Sequence, residues 1–445
     1  MGKKLLLFGF FVLAGSGVFA QTIGLEEARA LALVNSRSLA RYNLAIRSSL
    51  LDERGHLYTM LPSISVGYSA SVYYLGRDWR FVNPVDTFNS GLDIAITQII
   101  FNGGRNFIQK AIRQISTESI RKEALAEYFN VLDAVDNAYY AVLEALATLE
   151  AAESSLQTAL TSLEMAEIRH ASGMISLGDY LRAMAEREAR ENTRNQARRS
   201  LALSRTRFRA LTGIADTVKL EEVNFDAYEE LIQALSRISD EEADIMFDRF
   251  WQVLSAANPS LARAALNTQR AEKNLTLARR EHAPVLSATV FAAGINFSPA
   301  TGFGSSSGGG FLIRGSIPVD FWVLNNRVER SRLARDSSVL DYLNTEINLG
   351  TELQSALLNV FAFAESVHHS RLTLSYTERH FEFVSERHRL LQSSVADLNE
   401  ASTMLINSRN NLIRARYGFL QSISRLRSLG AIDNREFLIE LLMGR

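Results

Sequence analysis

Asp397 and Glu400 stand three positions apart, so on a helix their carboxylates share one face. By itself such a pair suits the ordinary first turn of a solvated helix, where the macrodipole favours acids. The seven histidines are scattered, and even His368-His369 with His380 and His388 lack metal-ligand spacing on one face. Gly308-Gly309-Gly310, preceded by Ser305 to Ser307, reads as a flexible surface loop between strands and not as a phosphate cradle. No nucleophile, base and orienting group converge by motif. Cysteine is absent from all 445 residues, which excludes disulfides, thiol chemistry and an acylated-cysteine anchor. The chain therefore reads as a non-enzyme with no metal and no cofactor.

The elements that carry these residues begin after a leader. Lys3-Lys4, an uncharged run from Leu5 to Val12, and Val18-Phe19-Ala20 before Gln21 make a signal peptide over residues 1–20, cut between Ala20 and Gln21. No later window holds the roughly 20 apolar residues of a membrane-spanning helix. With 48 basic and 49 acidic residues there is no basic footprint for nucleic acid.

The rest of the chain is written twice. Ser38-Leu39-Ala40-Arg41 recurs as Ser260-Leu261-Ala262-Arg263, Pro62 as Pro284, and Asn137 with Tyr139 as Asn359 with Phe361. Those matches share a spacing of 222, whereas Asp179 with Ala183 recurs as Asp397 with Ala401 at 218, as one small deletion would cause. Each copy reads as a helix, two strands, a very long helix, a break and a second long helix. The boundaries are a first repeat at 21–213, a segment at 214–250, a second repeat at 251–430 and a tail at 431–445.

The strands are expected at about 63–75, 88–100, 285–298 and 309–321. In the first, Ser63, Ser65, Gly67, Ser69 and Ser71 alternate with Ile64, Val66, Tyr68, Ala70 and Val72, the period of a strand with one apolar face. Aromatics end these runs at Tyr73, Tyr74, Trp79, Phe101, Phe297, Phe321 and Trp322, as in the interfacial girdles of a membrane barrel. Four strands do not close a barrel, and an open edge in lipid strands backbone groups, so several copies must share one; three would supply twelve strands. From Leu132 the apolar positions step by three and four through Val135, Tyr139, Val142, Leu146 and Leu149 to Leu156, Leu160 and Leu163. That is a coiled-coil seam. The second copy keeps Leu353, Leu357, Val360, Ala364 and Val367 in step until Arg371 interrupts. Proline is absent from Val85 to Asn258, and a helix from Arg105 to His170 is on the order of 100 Å long.

These residues resemble the TolC family of outer-membrane efflux proteins over nearly the whole mature chain. The likeness lies in Leu25-Glu26-Glu27-Ala28 with Leu31-Ala32-Leu33, in Leu61-Pro62-Ser63, and most specifically in Phe101-Asn102-Gly103-Gly104-Arg105. The last of these is similar to the family's strand-to-helix bend, where glycine relieves steric limits. Gly173 with Asp179, Asp397 with Ala401, Leu211-Thr212-Gly213 and Leu429-Gly430 continue it. At the second bend Asn325-Asn326 replace the glycine pair, and asparagine tolerates the left-handed geometry such a bend needs.

The resemblance implies a mixed α and β membrane protein. It would be a homotrimer with a shared 12-stranded outer-membrane β-barrel in lipid, continued by a long periplasmic α-helical coiled-coil barrel, with residues from Glu221 to Asp248 and the tail in an equatorial belt. It implies an exit duct of drug efflux or type I secretion, served by a periplasmic adaptor and a proton-driven or ABC-type inner-membrane pump. Asp397 and Glu400 would line the periplasmic entrance constriction, with Ser393 where the family carries a basic latch residue. Ser172, Gly173, Met174 and Asp179 would form the adaptor-contact tip. A rival reading is an envelope-spanning scaffold without transport; the small, polar face of residues 63–75 favours a water-filled pore.

Overall fold

The computed structural model describes residues 22–72, 88–215, 218–298, 302–390 and 392–443. The expected cleavage between Ala20 and Gln21, and Tyr73, Tyr74 and Trp79, lie outside them. The order is β1 (Thr22–Ile23), α1 (Leu25–Asn35), α2 (Arg37–Tyr58), β2 (Ser63–Val72), β3 (Phe88–Phe101), α3 (Arg105–Ala171) and α4 (Leu177–Thr212). After β4 (Lys219–Leu220) and α5 (Glu229–Leu235) the pattern recurs as α6 (Asp240–Ala257), α7 (Pro259–Arg280), β5 (Val285–Ser298), β6 (Gly302–Ser316), α8 (Phe321–Arg389) and α9 (Val395–Gly430), ending in α10 (Arg435–Leu442). The boundary set at 250 falls inside α6, which corresponds to α1 as the opening helix of its copy.

Local chemistry sets the helix ends. Asn258 caps α7 by accepting from the amides of Ser260 and Leu261, with Pro259 at the first helical position. Ser239 and Glu242 close a capping box on α6. Gly213 ends α4 in the left-handed conformation, its amide donating to the Arg209 carbonyl at 2.8 Å. One clasp occurs in both copies: Asn35 Nδ2 donates to the Thr212 carbonyl at 2.6 Å, and Asn258 Nδ2 to the Leu429 carbonyl at 2.9 Å. Each ties the end of an opening helix to the last turn of its copy's final helix.

Two compact units divide the chain. One takes residues 37–130, 239–358 and 426–445 and holds an antiparallel sheet of order β2-β3-β5-β6. Its last strand corrects two expectations. The Ser305–Gly310 segment lies within β6, not in a loop, because Gly309 and Gly310 pair opposite Ala292 and Phe291, and a Cβ on Gly310 would stand 2.6 Å from the Phe291 ring. The strand also stops at Ser316 instead of 321: Pro318 has no N–H for a ladder, and the Asp320 carbonyl already accepts the Leu324 amide at 3.1 Å to start α8. Asn325-Asn326 therefore sit inside α8, and among the described residues no left-handed bend forms there.

The other unit takes residues 1–36, 131–238 and 359–425. Its core holds Val135, Tyr139 and Val142 of α3 and Val360, Ala364 and Val367 of α8, all buried as the periodicity requires. The Tyr139 hydroxyl donates to the carbonyls of Ile23 and Glu221, fastening α3 to the short parallel pair β1–β4. Farther along, the seam differs from expectation. Ala145, Ala152, Ala159 and Ala166, seven apart, are buried, as is Ser155, while Leu160 is 40% exposed. Small residues let helices approach closely, and Leu146, Leu149, Leu156 and Leu163 are half-buried beside them, Leu163 packing on the Ala166 cluster. Arg371, the break in the second seam, is engaged by Glu229 of α5.

Candidate functional site: strand faces, bend and hairpin tips

Register decides what each face of the sheet presents. Ile64, Val66 and Tyr68 pair with Ile96, Ile94 and Leu92; Ile94 and Ile96 pair with Ala292 and Val290, and Val290 with Phe311. One face is thus a continuous apolar band, and Ile64, Val66, Tyr68, Phe311 and Ile313 are all exposed on it. The opposite face carries Ser63, Ser65, Thr97, Asp93, Thr289 and Arg314, with Phe291 and Leu312 among them on β5 and β6; Ser63 and Ser65 donate to the Thr97 and Ala95 carbonyls and Thr97 is bonded to Thr289 at 3.1 Å. Gly67 leaves room for Asp93, whose carboxylate lies 2.9 Å from where a Cβ would be. β2 and β6 are the sheet's two edges.

The bend after β3 is built as its residues suggest. Gly103 and Gly104 both adopt positive φ, +68° and +76°, and a Cβ on Gly103 would fall 2.3 Å from Ala283 Cβ. Arg105 opens α3 and returns its Nε to the Asn102 carbonyl at 2.9 Å. Asn102 thereby closes the turn that points the long helix away from the strand.

Both hairpin tips use one device. At the first, Gly173 turns at φ +72° and the Met174 amide donates to the Arg169 carbonyl at 2.8 Å, leaving the Met174 side chain exposed beside Ser172. Asp179 is then the third residue of α4, its amide donating to Ser176 Oγ at 3.1 Å while that hydroxyl donates to the carboxylate at 2.8 Å. At the second tip, Ser394 and Asp397 repeat the exchange: the Ser394 amide donates to Asp397 Oδ2 at 2.9 Å and the Asp397 amide to Ser394 Oγ at 3.1 Å. Those hydrogen bonds hold the exposed Asp397 carboxyl below the usual carboxylate range. Glu400 is exposed one turn on, while Leu398 and Ala401 pack inward against Val384. Ser393 donates to the Val384 carbonyl at 3.3 Å.

Sequence reasoning passed over two groups. Arg29, Asp136 and Ser424 form a buried polar cluster, flanked by the half-buried Asp133 and the exposed Arg425, and nothing in their spacing brings residues a hundred positions apart together. Arg169 and His388 also meet, and the signal for them was present in the Arg-His pair repeated at 169–170 and 387–388. Among the described residues no group of acids and histidines is placed to hold a metal, and no helix is long and apolar enough to cross a membrane.

The model of the outer membrane efflux protein family matches residues 29–214 and 251–431, one segment for each copy. The chain belongs to the outer membrane efflux protein family, and with that go an outer-membrane location and a part in efflux. Its fold is similar to the CmeC outer membrane channel of Campylobacter jejuni, at 15% identity and a TM-score of 0.75 over 91% of this chain and 85% of that one. It is likewise similar to CusC, at 17% identity and 0.77 over 91% of each, and to the outer membrane protein VceC of Vibrio cholerae, at 16% and 0.75 over 91% and 96%. No curated protein matches the chain by sequence.

Proposed function

We propose that three copies of this chain form a passive exit duct whose energy comes from an inner-membrane pump joined through a periplasmic adaptor. The observation that carries this reading is the two-faced sheet with two open edges. An apolar band suits lipid, a face of serine, threonine, aspartate and arginine suits water, and edges β2 and β6 call for closure by other copies. A scaffold without transport has no use for the polar face. Helix faces in the same unit support closure: Leu44, Leu51 and Tyr58 on α2, and Leu333, Leu340 and Ile347 on α8, form two exposed apolar stripes of seven-residue spacing.

In this reading Met174 with Ser172 and Gly173 offers an adaptable surface to the adaptor, with Asp179 fixing the helix that presents it. Asp397 and Glu400, repeated by the ring, make two acidic girdles at the entrance, and the helix cap keeps Asp397 ionised. Cargo is set by the pump, whether proton-driven or ATP-driven, and spans small toxic molecules or proteins.

The test is single-channel recording of purified protein in a planar bilayer. Discrete, cation-preferring conductance is expected, with the preference reduced in Asp397→Asn/Glu400→Gln. A bilayer no more conductive than an empty one returns the protein to the scaffold class.

A further inference from the structure

The two longest helices end alike. Arg169-His170 closes α3 and Arg387-His388 closes α8, 218 positions on, the spacing that also separates Asp179 from Asp397. Each histidine clasps its own turn through Nδ1, His170 at 3.4 Å from the Ile175 carbonyl and His388 at 3.1 Å from the Ser393 carbonyl. Beyond that the copies diverge. His170 lies flat against Tyr180, with ring centroids 5.3 Å apart. His388 instead places Nε2 3.0 Å from Nη1 of the buried Arg169, whose Nη2 donates to the His388 carbonyl at 3.3 Å.

A carbonyl only accepts and a guanidinium only donates. Both bonds to the His388 ring therefore hold in one form, the neutral imidazole with its proton on Nδ1. We propose that Arg169–His388 is an acid-released clasp between the two hairpins of the chain. A proton on Nε2 turns the acceptor into a donor and sets an imidazolium against a buried guanidinium at hydrogen-bond distance.

The surrounding charges give the release a direction. Arg169 faces His388 from α3; Arg387, on its own helix, donates to the Gln392 carbonyl at 2.9 Å; Asp397, on α9, interacts electrostatically with both Arg387 and His388. A protonated ring is thus repelled by Arg169 and drawn towards Asp397. Near the tips these hairpins are also joined by the apolar cluster of Ala166, Ala183 and Val395 and by the bond from Arg190 Nη2 to Thr403 Oγ1 at 2.6 Å. None of those groups titrates between about pH 5 and 8, where imidazoles do, so acid loosens the tips and leaves the stems paired. The clasp stands on its own geometry; that its release widens an entrance rests on the duct reading above.

Hydrogen–deuterium exchange on the intact purified protein tests it, with rates corrected for the intrinsic effect of pH. Between pH 7.5 and 5.5, amides of 171–176 and 392–395 are expected to exchange at least several-fold faster, while those of 132–143 in the α3 core do not change. His388→Gln, which does not titrate, should abolish the response; His170→Gln should keep it; Arg169→Met should exchange fast at both pH values. An unchanged wild type overturns the clasp without need of any variant, as does a folded His388→Gln that responds like wild type. Bilayer recording separates the two proposals. Faster exchange with no conductance at either pH leaves the clasp and removes the duct, whereas conductance with unchanged exchange does the reverse.

Discussion

Asp136 is sealed in the core of its unit, where Arg29 grips both carboxylate oxygens and Ser424 donates to Oδ2 at 2.6 Å. Burial works against the charge of Arg29, yet Asp136, with Glu26 and Tyr140, more than offsets it and raises the guanidinium above its ordinary value. Breaking such a pair strands a charge, so Arg29→Met is expected to cost about 3–5 kcal/mol in urea unfolding, and adding Asp136→Leu should recover part of the loss. Asp133, one turn away, is the opposite case. Burial pushes its carboxyl above the usual range, Arg425 at 3.9 Å offsets this only in part, and Oδ1 has no hydrogen-bond partner. An acid raised in the folded state weighs against folding once pH climbs through its titration. Asp133→Asn should therefore match wild type near about pH 3, where both forms are neutral, and exceed it in stability at neutral pH; urea titrations at the two pH values measure the difference.

At the scale of elements, what could be read from the sequence depended on how local its cause was. The bend at Gly103-Gly104 was legible because left-handed backbone favours glycine; the hairpin turns have an equally local cause, the Ser176 and Ser394 caps three residues before Asp179 and Asp397, which sequence reasoning did not use. The glycine run at 308–310 was misread as a loop because the reason for it, the Phe291 ring on the next strand, lies in another element. Asn325-Asn326 misled for a related reason: Pro318 and Asp320 had already begun the helix. The seam of α3 beyond residue 145 shows the same limit, since hydropathy favoured leucines where close approach of neighbouring helices selected alanines. That selection has a consequence. Ala159→Leu forces bulk into a closed contact and is expected to destabilise by about 1–3 kcal/mol, whereas Leu160→Ala, on the exposed flank, should cost little. Thermal melts followed by helical circular dichroism compare the two, and equal costs would return the seam to the leucines.

For the whole molecule the decisive features are surfaces that a single chain leaves uncovered. β2 and β6 end the sheet, and two heptad stripes, Leu44, Leu51 and Tyr58 with Leu333, Leu340 and Ile347, each stand more than 60% exposed. A stripe of that spacing is one half of a coiled-coil seam, and α2 and α8 would supply unlike halves. Unlike halves on every copy make a head-to-tail contact, which does not stop at a dimer and, where its rotation closes, gives a ring such as the proposed trimer. Charges placed in one stripe should then block assembly as well as charges in the other, without unfolding the protomer whose core they avoid. Leu51→Glu and Leu340→Glu are each expected to shift the detergent-solubilised protein from the proposed trimer to monomer in sedimentation, with helical content retained. Because a ring contact joins one stripe of each kind, Leu51→Lys combined with Leu340→Glu in the same chain should restore the trimer, each lysine meeting a glutamate of the next copy. Failure of that double variant to reassemble, with both single variants monomeric, would mean that each stripe meets some other surface.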